Sequence, residues 1–383
     1  YKGQMEKQRT LFRTLISLLI KLNNMIKIQA SVSKGWLHKH GGFDFTGKYY
    51  MDPYFRMKQD EACHNFIKKR FPDYPLYNME DNLVQAEYVV PDMMLVGAIQ
   101  PNMIIAAALG SEFVFAPDKD SDVKGFPLKD IKDINDLPPV SETTELEFIV
   151  NLKNQYLEAK ERYPECRVIP PFFWDTSGRA TIHGIITTSM KFIGQDIFTL
   201  MMMESGLVKG IHAWIADVYI EVIKFFSKLG DMPVTSVHVG ECSGTMLDES
   251  SYLEFVTPYI NRLSREFGSV RLHSCGNADH VMRSICAIEN LSIIDTGSDT
   301  SLAQIRELKG REFEINVFPQ VDYLTEGAKP DDIRNWLERT LKDNDGGNLK
   351  IAYHLEPDYN LENCIYIHEE LDRLGLVKKG RLY

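Results

Sequence analysis

The stretch LEFVTPYINRLSREFGSVRLHSCGN, residues 253–277, joins an amphipathic helical pattern to a short apolar run that ends in polar residues. It predicts a helix over Ser251–Phe267 and a strand over Val270–His273, because the apolar residues first recur at helical spacing and then crowd together. Residues two apart in a strand project from the same face. We therefore expect the imidazole of His273 and the thiol of Cys275 on one face, where the strand runs into its loop.

The same alternation of apolar runs and amphipathic stretches continues on both sides of this unit. Predicted strands are Phe113–Ala116, Val168–Trp174, Ser236–Val239, Val270–His273, Ile293–Asp295, Glu314–Phe318 and Leu349–Tyr353. Predicted helices are Pro53–Arg70, Asn151–Arg162, Gly194–Met202, Leu207–Leu229, Ser251–Phe267 (with a capping box, Ser251-x-x-Glu254), Ala278–Glu289, Leu302–Leu308, Asp331–Lys342 and Leu361–Leu374.

The late strands start about 21 to 35 residues apart, the interval of a βα unit in a parallel sheet. No GxGxxG follows an early strand, which argues against a dinucleotide-binding fold. The sequence therefore predicts an α/β fold, a (β/α)8 TIM barrel over residues 91–383. Residues 1–90 are expected to form an N-terminal helical or irregular extension and cap, integrated with the barrel.

Composition and charge exclude several classes of protein. The 383 residues are 44% hydrophobic and 25% charged, as in an ordinary soluble globular protein. A net charge of −11 argues against nucleic-acid binding, and six scattered cysteines without a CxxC pair indicate a reducing, cytoplasmic environment. Thr10–Ile28 is typical of an amphipathic helix, and Arg13 and Lys21 interrupt it, so no membrane span is expected.

Metal-binding and proton-carrying side chains follow the predicted strands, and barrel enzymes place their chemistry at the carboxyl ends of strands. These residues are Asp175, His183, His238, Glu241, Cys242, His273, Cys275, Asn277, Asp295, Gln320, Tyr353 and His354. His273, Cys275 and His354 would supply three nitrogen and sulfur ligands, with Glu241 or Cys242 as a fourth ligand or an acid–base group. Three protein ligands and one open position are typical of a catalytic zinc site.

Simpler interpretations stay open for several of these residues. His238 fits a strand residue that is hydrogen-bonded inside the barrel, and Cys242 fits a small buried side chain. Asp295 fits either a carboxylate that orients a ligand or a helix N-cap. His183 fits substrate contact or plain exposure. Arg56 and Asp60, one helical turn apart, fit a solvated surface ion pair.

Two segments resemble the uroporphyrinogen decarboxylase superfamily: residues 253–277, and VFPQVDYLTEG over Val317–Gly327, where Phe318-Pro319-Gln320 replaces the family's Gly-Asn. The resemblance extends over roughly residues 60–380 and implies a (β/α)8 barrel. True decarboxylases of this family carry a Met-Arg-Gln-Ala-Gly-Arg-like motif that holds substrate carboxylates. Here the corresponding region is interpreted as residues 41–48, GGFDFTGK, and Arg56 is isolated.

The chain is more similar to the superfamily's cobalamin-dependent methyltransferase branch, whose zinc is held by His-x-Cys and by a Cys after the last strand. His273 and Cys275 match this motif, whereas His354 stands at about the position of the late Cys. The resemblance implies Zn²⁺ held by His273, Cys275 and His354, with Cys242 as the reserve ligand. We further expect Glu241 and Asp295 to be catalytic, Asn277 and Gln320 to bind the cofactor, and Asp175, His183 and Tyr353 to contact substrate.

This resemblance implies a methyltransferase that moves a methyl group between a small methylated substrate and the cobalt of a corrinoid (cobalamin) protein, with the direction of transfer open. A separate corrinoid protein is expected because no Asp-x-His-x-x-Gly motif is present. The aromatic residues Phe43, Phe45, Tyr49, Tyr50, Phe172, Phe173 and Trp174 would suit a methoxylated aromatic substrate, although aromatic residues also fill ordinary cores. Two alternatives are a metal-free decarboxylase and a non-catalytic barrel subunit. The oligomeric state stays open, and the sequence is compatible with a homodimer.

Overall fold

A parallel sheet forms the centre of the protein. The computed structural model describes residues 26–73, 76–79 and 90–377. Its strands are β1 (Lys27–Val32), β2 (Leu76–Met79), β3 (Met93–Leu95), β4 (Phe113–Val114), β5 (Asp122–Val123), β6 (Arg167–Ile169), β7 (Arg179–His183), β8 (Ser236–Gly240), β9 (Ser269–Ser274), β10 (Leu291–Gly297), β11 (Glu314–Phe318) and β12 (Leu349–Leu355).

Eight of these strands pair in the order β2-β1-β12-β11-β10-β9-β8-β7, and every neighbouring pair is parallel. Strand β3 pairs with β6 in parallel, and β4 with β5 antiparallel. The first and last described strands are neighbours, as the closure of a barrel requires. The α/β class and the (β/α)8 TIM barrel are confirmed.

Helices connect the parallel strands and cover the outside of the sheet. They are α1 (Lys34–Gly41), α2 (Gly47–Met51), α3 (Pro53–Arg70), α4 (Pro101–Ala108), α5 (Glu147–Arg162), α6 (Ile185–Ile193), α7 (Asp196–Met203), α8 (Ser205–Gly230), α9 (Glu249–Phe255), α10 (Thr257–Phe267), α11 (Met282–Cys286), α12 (Leu302–Lys309), α13 (Val321–Leu324), α14 (Pro330–Asn344) and α15 (Leu361–Arg373). Short 3₁₀ helices lie at Ile134–Asp136, Val140–Glu145, Cys242–Met246 and Asp279–Val281.

Side chains along the strands alternate between the barrel interior and the helix layer. Asp295 on β10 lies opposite His273 on β9 and Asn316 on β11, so the three share the inner face. The intervening Leu272 and Ile294 point the other way and are fully buried. Burying a side chain of this size contributes about 1.5–3 kcal/mol. The apolar core therefore lies between sheet and helices, and the inner face is free to carry polar groups.

The predicted helix Pro53–Arg70 is found with those bounds, and Asp52 caps it by accepting the Phe55 N–H at 2.9 Å. The prediction of one helix over Ser251–Phe267 is wrong, because α9 and α10 are separate. Pro258 has no N–H to donate to the preceding turn, so the chain breaks just before it. The predicted capping box is also wrong, since Asp248 is the N-cap of α9.

The early strands depart from the prediction more than the late ones. The predicted strand Val168–Trp174 is reduced to β6, and the neighbouring barrel strand β7 was missed. Phe113–Ala116 shrinks to β4, which lies outside the eight-stranded sheet. Strand β1 lies within residues 1–90, which were assigned to the extension, and it pairs with β12 over its whole length. The central sheet thus takes a strand from that segment.

Arg56 is buried, with 2% of its surface exposed, so its interpretation as half of a solvated ion pair is wrong. Its Nη1 donates to the carbonyl of Ala98 at 2.6 Å, and its Nε lies 3.4 Å from Asp60. The guanidinium also lies over the Tyr49 ring, 4.6 Å from the centroid. Arg56 therefore ties helix α3 to the loop after β3.

The predicted helix Thr10–Ile28 lies outside the described residues except at its end, where Lys27 and Ile28 begin β1. Within the described ranges, no helix is both long and apolar enough to cross a membrane.

Candidate metal centre

Three side chains meet where β8 and β9 end. Their ligand atoms, the thiol sulfurs of Cys242 and Cys275 and a ring nitrogen of His273, all lie within 4.8 Å of one another. The parallel pairing of β8 and β9 sets Gly240 opposite His273, and the Glu241 N–H donates to the His273 carbonyl at 2.8 Å. Cys242 and Cys275 each follow this pair by two residues. The predicted juxtaposition of His273 and Cys275 is found, and Cys242 completes the group.

The three side chains also share protons and charge. Hydrogen bonds from the Cys242 thiol and the His273 ring lower the pKa of Cys275 to about 4. The contact with Cys275, together with burial, raises the pKa of Cys242. Burial alone would lower the pKa of His273, but Asp295 and Cys275 outweigh it and raise that pKa to about 9. The resulting group is an imidazolium and a thiol around a thiolate, and a divalent cation could replace the two protons.

Asp295 lies beneath His273 in the barrel and is 1% exposed. Its Oδ2 is 3.7 Å from Nδ1 of His273 and also 3.7 Å from Nε2 of His238. Arg271 donates to both carboxylate oxygens at 2.9 and 3.0 Å, and Asn316 Nδ2 donates to Oδ1 at 2.5 Å. Burial would raise the pKa of Asp295, but the Arg271 charge and the two imidazoles hold it well below its usual range.

Glu241 is completely buried beside the group, and its carboxylate points to the start of helix α6. It accepts the Ile186 N–H at 3.2 Å, and the Thr187 N–H and hydroxyl at 3.1 and 3.0 Å. Burial raises the pKa of Glu241 to about 7 against these hydrogen bonds, which lower it. The Thr187 hydroxyl oxygen in turn accepts the Ser243 N–H at 3.2 Å. The geometry therefore makes Glu241 a cap that ties α6 to the segment carrying Cys242.

His354 on β12 does not join the three clustered side chains. Its Nδ1 lies 2.9 Å from the hydroxyl of Ser31 on β1. The Phe318 ring is 5.7 Å from the His354 ring and 5.7 Å from the His273 ring, measured between centroids. A side chain that contacts both imidazoles thus stands between them.

Of the residues predicted to contact substrate, His183 lies on the same side of the barrel as Cys242, His273 and Cys275. His183 on β7 pairs in register with Gly240, the neighbour of His273, and faces the same interior. Burial, with the Lys191 charge, lowers the pKa of His183 to about 4. Asp175 is buried and accepts the Ser177 N–H at 2.7 Å in its own turn.

Tyr353, predicted to contact substrate, and Asn277 and Gln320, predicted to bind the cofactor, lie away from the cluster. The Tyr353 hydroxyl faces the helix layer, 2.8 Å from Nε2 of His368 on α15. Asn277 is exposed and donates to the Asp299 carbonyl at 3.1 Å, and Gln320 donates to the Asp299 carboxylate. Both therefore bind the loop after β10 at the rim, where Gln320 and Asp299 line a cavity of about 220 Å³.

The family profile described as Uroporphyrinogen decarboxylase (URO-D) matches residues 96–351, well over half of the chain. The chain belongs to this family. The resemblance inferred from residues 253–277 and Val317–Gly327 is therefore confirmed. Within the uroporphyrinogen decarboxylase match lie Cys242, His273 and Cys275, whereas β1 and His354 lie outside it.

Two solved structures are similar to this chain. A methyltransferase from Methanosarcina mazei is 12% identical, with a TM-score of 0.59 over 94% of this chain and 98% of that chain. A B12-independent methionine synthase from Shewanella sp. W3-18-1, in complex with selenomethionine, is 10% identical, with a TM-score of 0.42 over 92% and 98%. A comparison with curated proteins gave no significant match. The likeness to the Methanosarcina mazei structure shows a shared fold for this member of the uroporphyrinogen decarboxylase family.

Two residues of the network were missed in the sequence, Arg271 and Asn316. A usable signal existed, because Arg271, His273 and Cys275 recur every second residue and must share a face. Asn316 interrupts the apolar run EINVF at the position opposite Asp295. A polar residue inside an otherwise apolar strand indicates a partner on the inner face of the barrel.

Proposed function

We propose that this protein is a zinc-dependent methyltransferase, which moves a methyl group between a small methylated substrate and the cobalt of a separate corrinoid protein. The observation that carries the proposal is the group formed by Cys242, His273 and Cys275, within 4.8 Å of one another at the carboxyl ends of β8 and β9. The similarity in fold to a methyltransferase supports it.

The donor set fits zinc. Thiolates and imidazoles are the ligands that zinc prefers, and three of them with a free position are typical of a catalytic site. Two thiolates and one neutral imidazole would balance the charge of a divalent cation. Zinc bound there would supply a Lewis acid that stabilises negative charge on the atom that gains or loses the methyl group.

The surrounding residues have separate roles in this proposal. Asp295 would hold the His273 ring by its Nδ1, so that Nε2 is the ligand nitrogen. His183 and His238 face the interior beside His273 and would contact the substrate. Cys275 is exposed, which leaves the centre open to a partner from the rim. Asn277 and Gln320, at the same rim, would contact the corrinoid protein.

A porphyrinogen decarboxylase is supported less well. A substrate with many carboxylates needs free cationic groups. Two buried cations, one on α1 and one on α3, are already paired: Lys34 Nζ lies 2.7 Å from Asp120, and Arg56 lies 3.4 Å from Asp60. Both side chains are 2–3% exposed, so neither is presented to solvent.

Elemental analysis of protein purified without added metal tests the metal centre. We expect about one zinc per chain, lost in Cys242→Ser and in Cys275→Ser and retained in His354→Ala. Cys286→Ser is the matched control, because Cys286 is a partly buried cysteine on α11 outside the group. Wild-type protein that neither contains zinc nor takes it up would contradict the proposal. Loss of zinc in His354→Ala would return that residue to the ligand set.

Free cobalamins test the transfer reaction without knowledge of the partner. Methylcobalamin with a thiol tests transfer from cobalt, and cob(I)alamin with a methoxylated aromatic or a methylated amine tests transfer to cobalt. We expect a change in the cobalamin absorbance spectrum in one direction, and its loss with Cys275→Ser. A zinc-loaded protein inactive in both directions, with porphyrinogen decarboxylation detected instead, would favour the alternative function.

A further inference from the structure

The carboxylate of Asp295 has two oxygens with different surroundings. Oδ1 accepts from Arg271 Nε at 3.0 Å, from Arg271 Nη2 at 2.8 Å and from Asn316 Nδ2 at 2.5 Å. Oδ2 accepts from Arg271 Nε at 2.9 Å and faces the two imidazoles. Arg271 and Asn316 come from the strands on either side of β10, so together they hold the carboxylate from both flanks. The contacts at Oδ1 therefore fix the orientation of the carboxylate, and Oδ2 is the oxygen that can accept from a histidine.

Two histidines compete for that single oxygen. Nδ1 of His273 and Nε2 of His238 are both 3.7 Å from Oδ2, and the two rings stand nearly perpendicular, 6.4 Å apart. Nε2 of His238 is buried and has no hydrogen-bond partner. A buried polar atom without a partner costs about 1–3 kcal/mol. His238 would therefore gain by drawing the carboxylate toward itself, at the expense of His273.

We propose that Asn316 is a positioning residue for the metal centre: by holding Oδ1 of Asp295, it fixes the carboxylate so that Oδ2 stays beside His273 and is not drawn to His238, with both ring nitrogens 3.7 Å away. The inference rests on the proposed function, since it concerns how firmly His273 serves as a ligand. Asn316 is uncharged, completely buried, and touches the carboxylate rather than any ligand. Its amide orientation is fixed because the opposite one would turn its own oxygen toward the carboxylate.

Without Asn316, Asp295 would keep its hydrogen bonds to Arg271, and its carboxylate could turn toward His238 on β8. The His273 ring would then lose the carboxylate charge that lies beside its Nδ1. Loss of a carboxylate that orients a metal-bound histidine costs about 10–100-fold in metal affinity. Asn316 acts one step further out, so we expect about a tenfold loss of zinc affinity, with faster zinc release.

The test measures zinc affinity and release by competition with a chromophoric chelator, independently of activity. Asn316→Leu keeps the side-chain size and removes the amide. Thr296→Val is the matched control, because Thr296 is equally buried on β10 and its hydroxyl makes no hydrogen bond to the described residues, so the change removes no contact of the Asp295 carboxylate. We expect weaker binding in Asn316→Leu and wild-type binding in Thr296→Val. If Asn316→Leu does not fold, Asn316→Ser carries the same expectation.

The double variant Asn316→Leu/His238→Phe separates positioning from a general structural role. Removing the competing imidazole leaves His273 as the remaining histidine beside Oδ2, so we expect the double variant to recover zinc affinity toward the wild-type value. Equal losses in the single and double variants would overturn the proposal, as would unchanged zinc affinity in Asn316→Leu. Wild-type protein that binds no zinc would instead overturn the proposed function itself.

Discussion

Glu241 offers the sharpest test of how the centre is built, because sequence and geometry suggest different roles for it. The sequence predicted a catalytic carboxylate at the end of β8. In the structure the carboxylate is enclosed and accepts from three donors at the start of α6, which are the N–H groups of Ile186 and Thr187 and the Thr187 hydroxyl. Glu241→Ala would leave all three donors buried without an acceptor.

The magnitude follows from that count. Each buried donor left unsatisfied costs about 1–3 kcal/mol, and a carboxylate at a helix N-terminus adds a smaller favourable contribution. Burial of the carboxylate, which raises its pKa to about 7, offsets part of this gain. We expect Glu241→Ala to lower the free energy of unfolding by about 3–5 kcal/mol. Glu241→Gln keeps one acceptor oxygen and should lose about half as much.

Urea denaturation followed by tryptophan fluorescence gives the free energies, and zinc content is measured on the same samples. Because Thr187 also binds the Ser243 N–H, we expect Glu241→Ala to lose zinc by loosening the segment that carries Cys242. Glu241→Gln should retain zinc and activity. A Glu241→Gln variant of wild-type stability and full zinc content, but without turnover, would refute the capping role and restore the catalytic one.

Three other outcomes test separate parts of the structure. After zinc is removed by a chelator, iodoacetamide at pH 6 should label Cys275 first, because its pKa is lowered to about 4 and it is exposed, and added zinc should protect it; mass spectrometry identifies the site. Arg306 donates to the carbonyls of Gly310, Phe313 and Asn348 and to Asn344, so Arg306→Lys should cost about 2–4 kcal/mol in urea denaturation, against less than about 1 for Arg311→Lys in the exposed pair with Asp345. Burial lowers the pKa of His212 from 6.5 to about 4, so the unfolded chain binds more protons as pH falls, and the loss of stability from pH 7 to pH 5 should be about 2 kcal/mol smaller in His212→Asn than in the wild-type protein. An equal pH dependence of the unfolding free energy in the wild-type protein and in His212→Asn would contradict the last expectation.

The late strands were predictable because their outward side chains form apolar runs. Glu314–Phe318 was placed to the residue, and Ser236–Val239 to within one. The early strands were missed because an alanine takes one outward position in each, so polar inward residues there interrupt a weaker apolar run. In KIQASV the inward Gln29 and Ser31 interrupt the apolar pattern. RATIH, strand β7, has the same character, with Thr181 and His183 inward.

The break between α9 and α10 depends on a single residue. Their combined apolar pattern continues across Val256, so periodicity alone favours one helix. Pro258 is tolerated in the first turn of a new helix, where its missing N–H needs no partner. The proline was visible in the sequence, but the structure was needed to show that the first helix begins after its N-cap, Asp248.

The choice between His354 and Cys242 as the third metal ligand depends on more than their positions near the ends of strands. His354 and Cys242 both follow strands predicted from the sequence, so the chain order alone does not separate them. The distinction is distance around the barrel, because neighbouring strands lie about 4.8 Å apart. β8 is next to β9, whereas β12 is three strands away, with β10 and β11 between. Phe318 of β11 fills the gap by contacting both imidazoles.

Charge supports Cys242 over His354 as well. With His354, a divalent ion would face one thiolate and two imidazoles and would keep a net positive charge, beside the buried Arg271. With Cys242, two thiolates neutralise the ion, and Asp295 is left to balance Arg271, 2.8 Å away. Charges that cancel pair by pair avoid the cost of leaving Arg271 or Asp295 buried without a counter-charge. Position and charge therefore both favour Cys242 with His273 and Cys275. His354 instead contacts the Ser31 hydroxyl, where β12 pairs with β1.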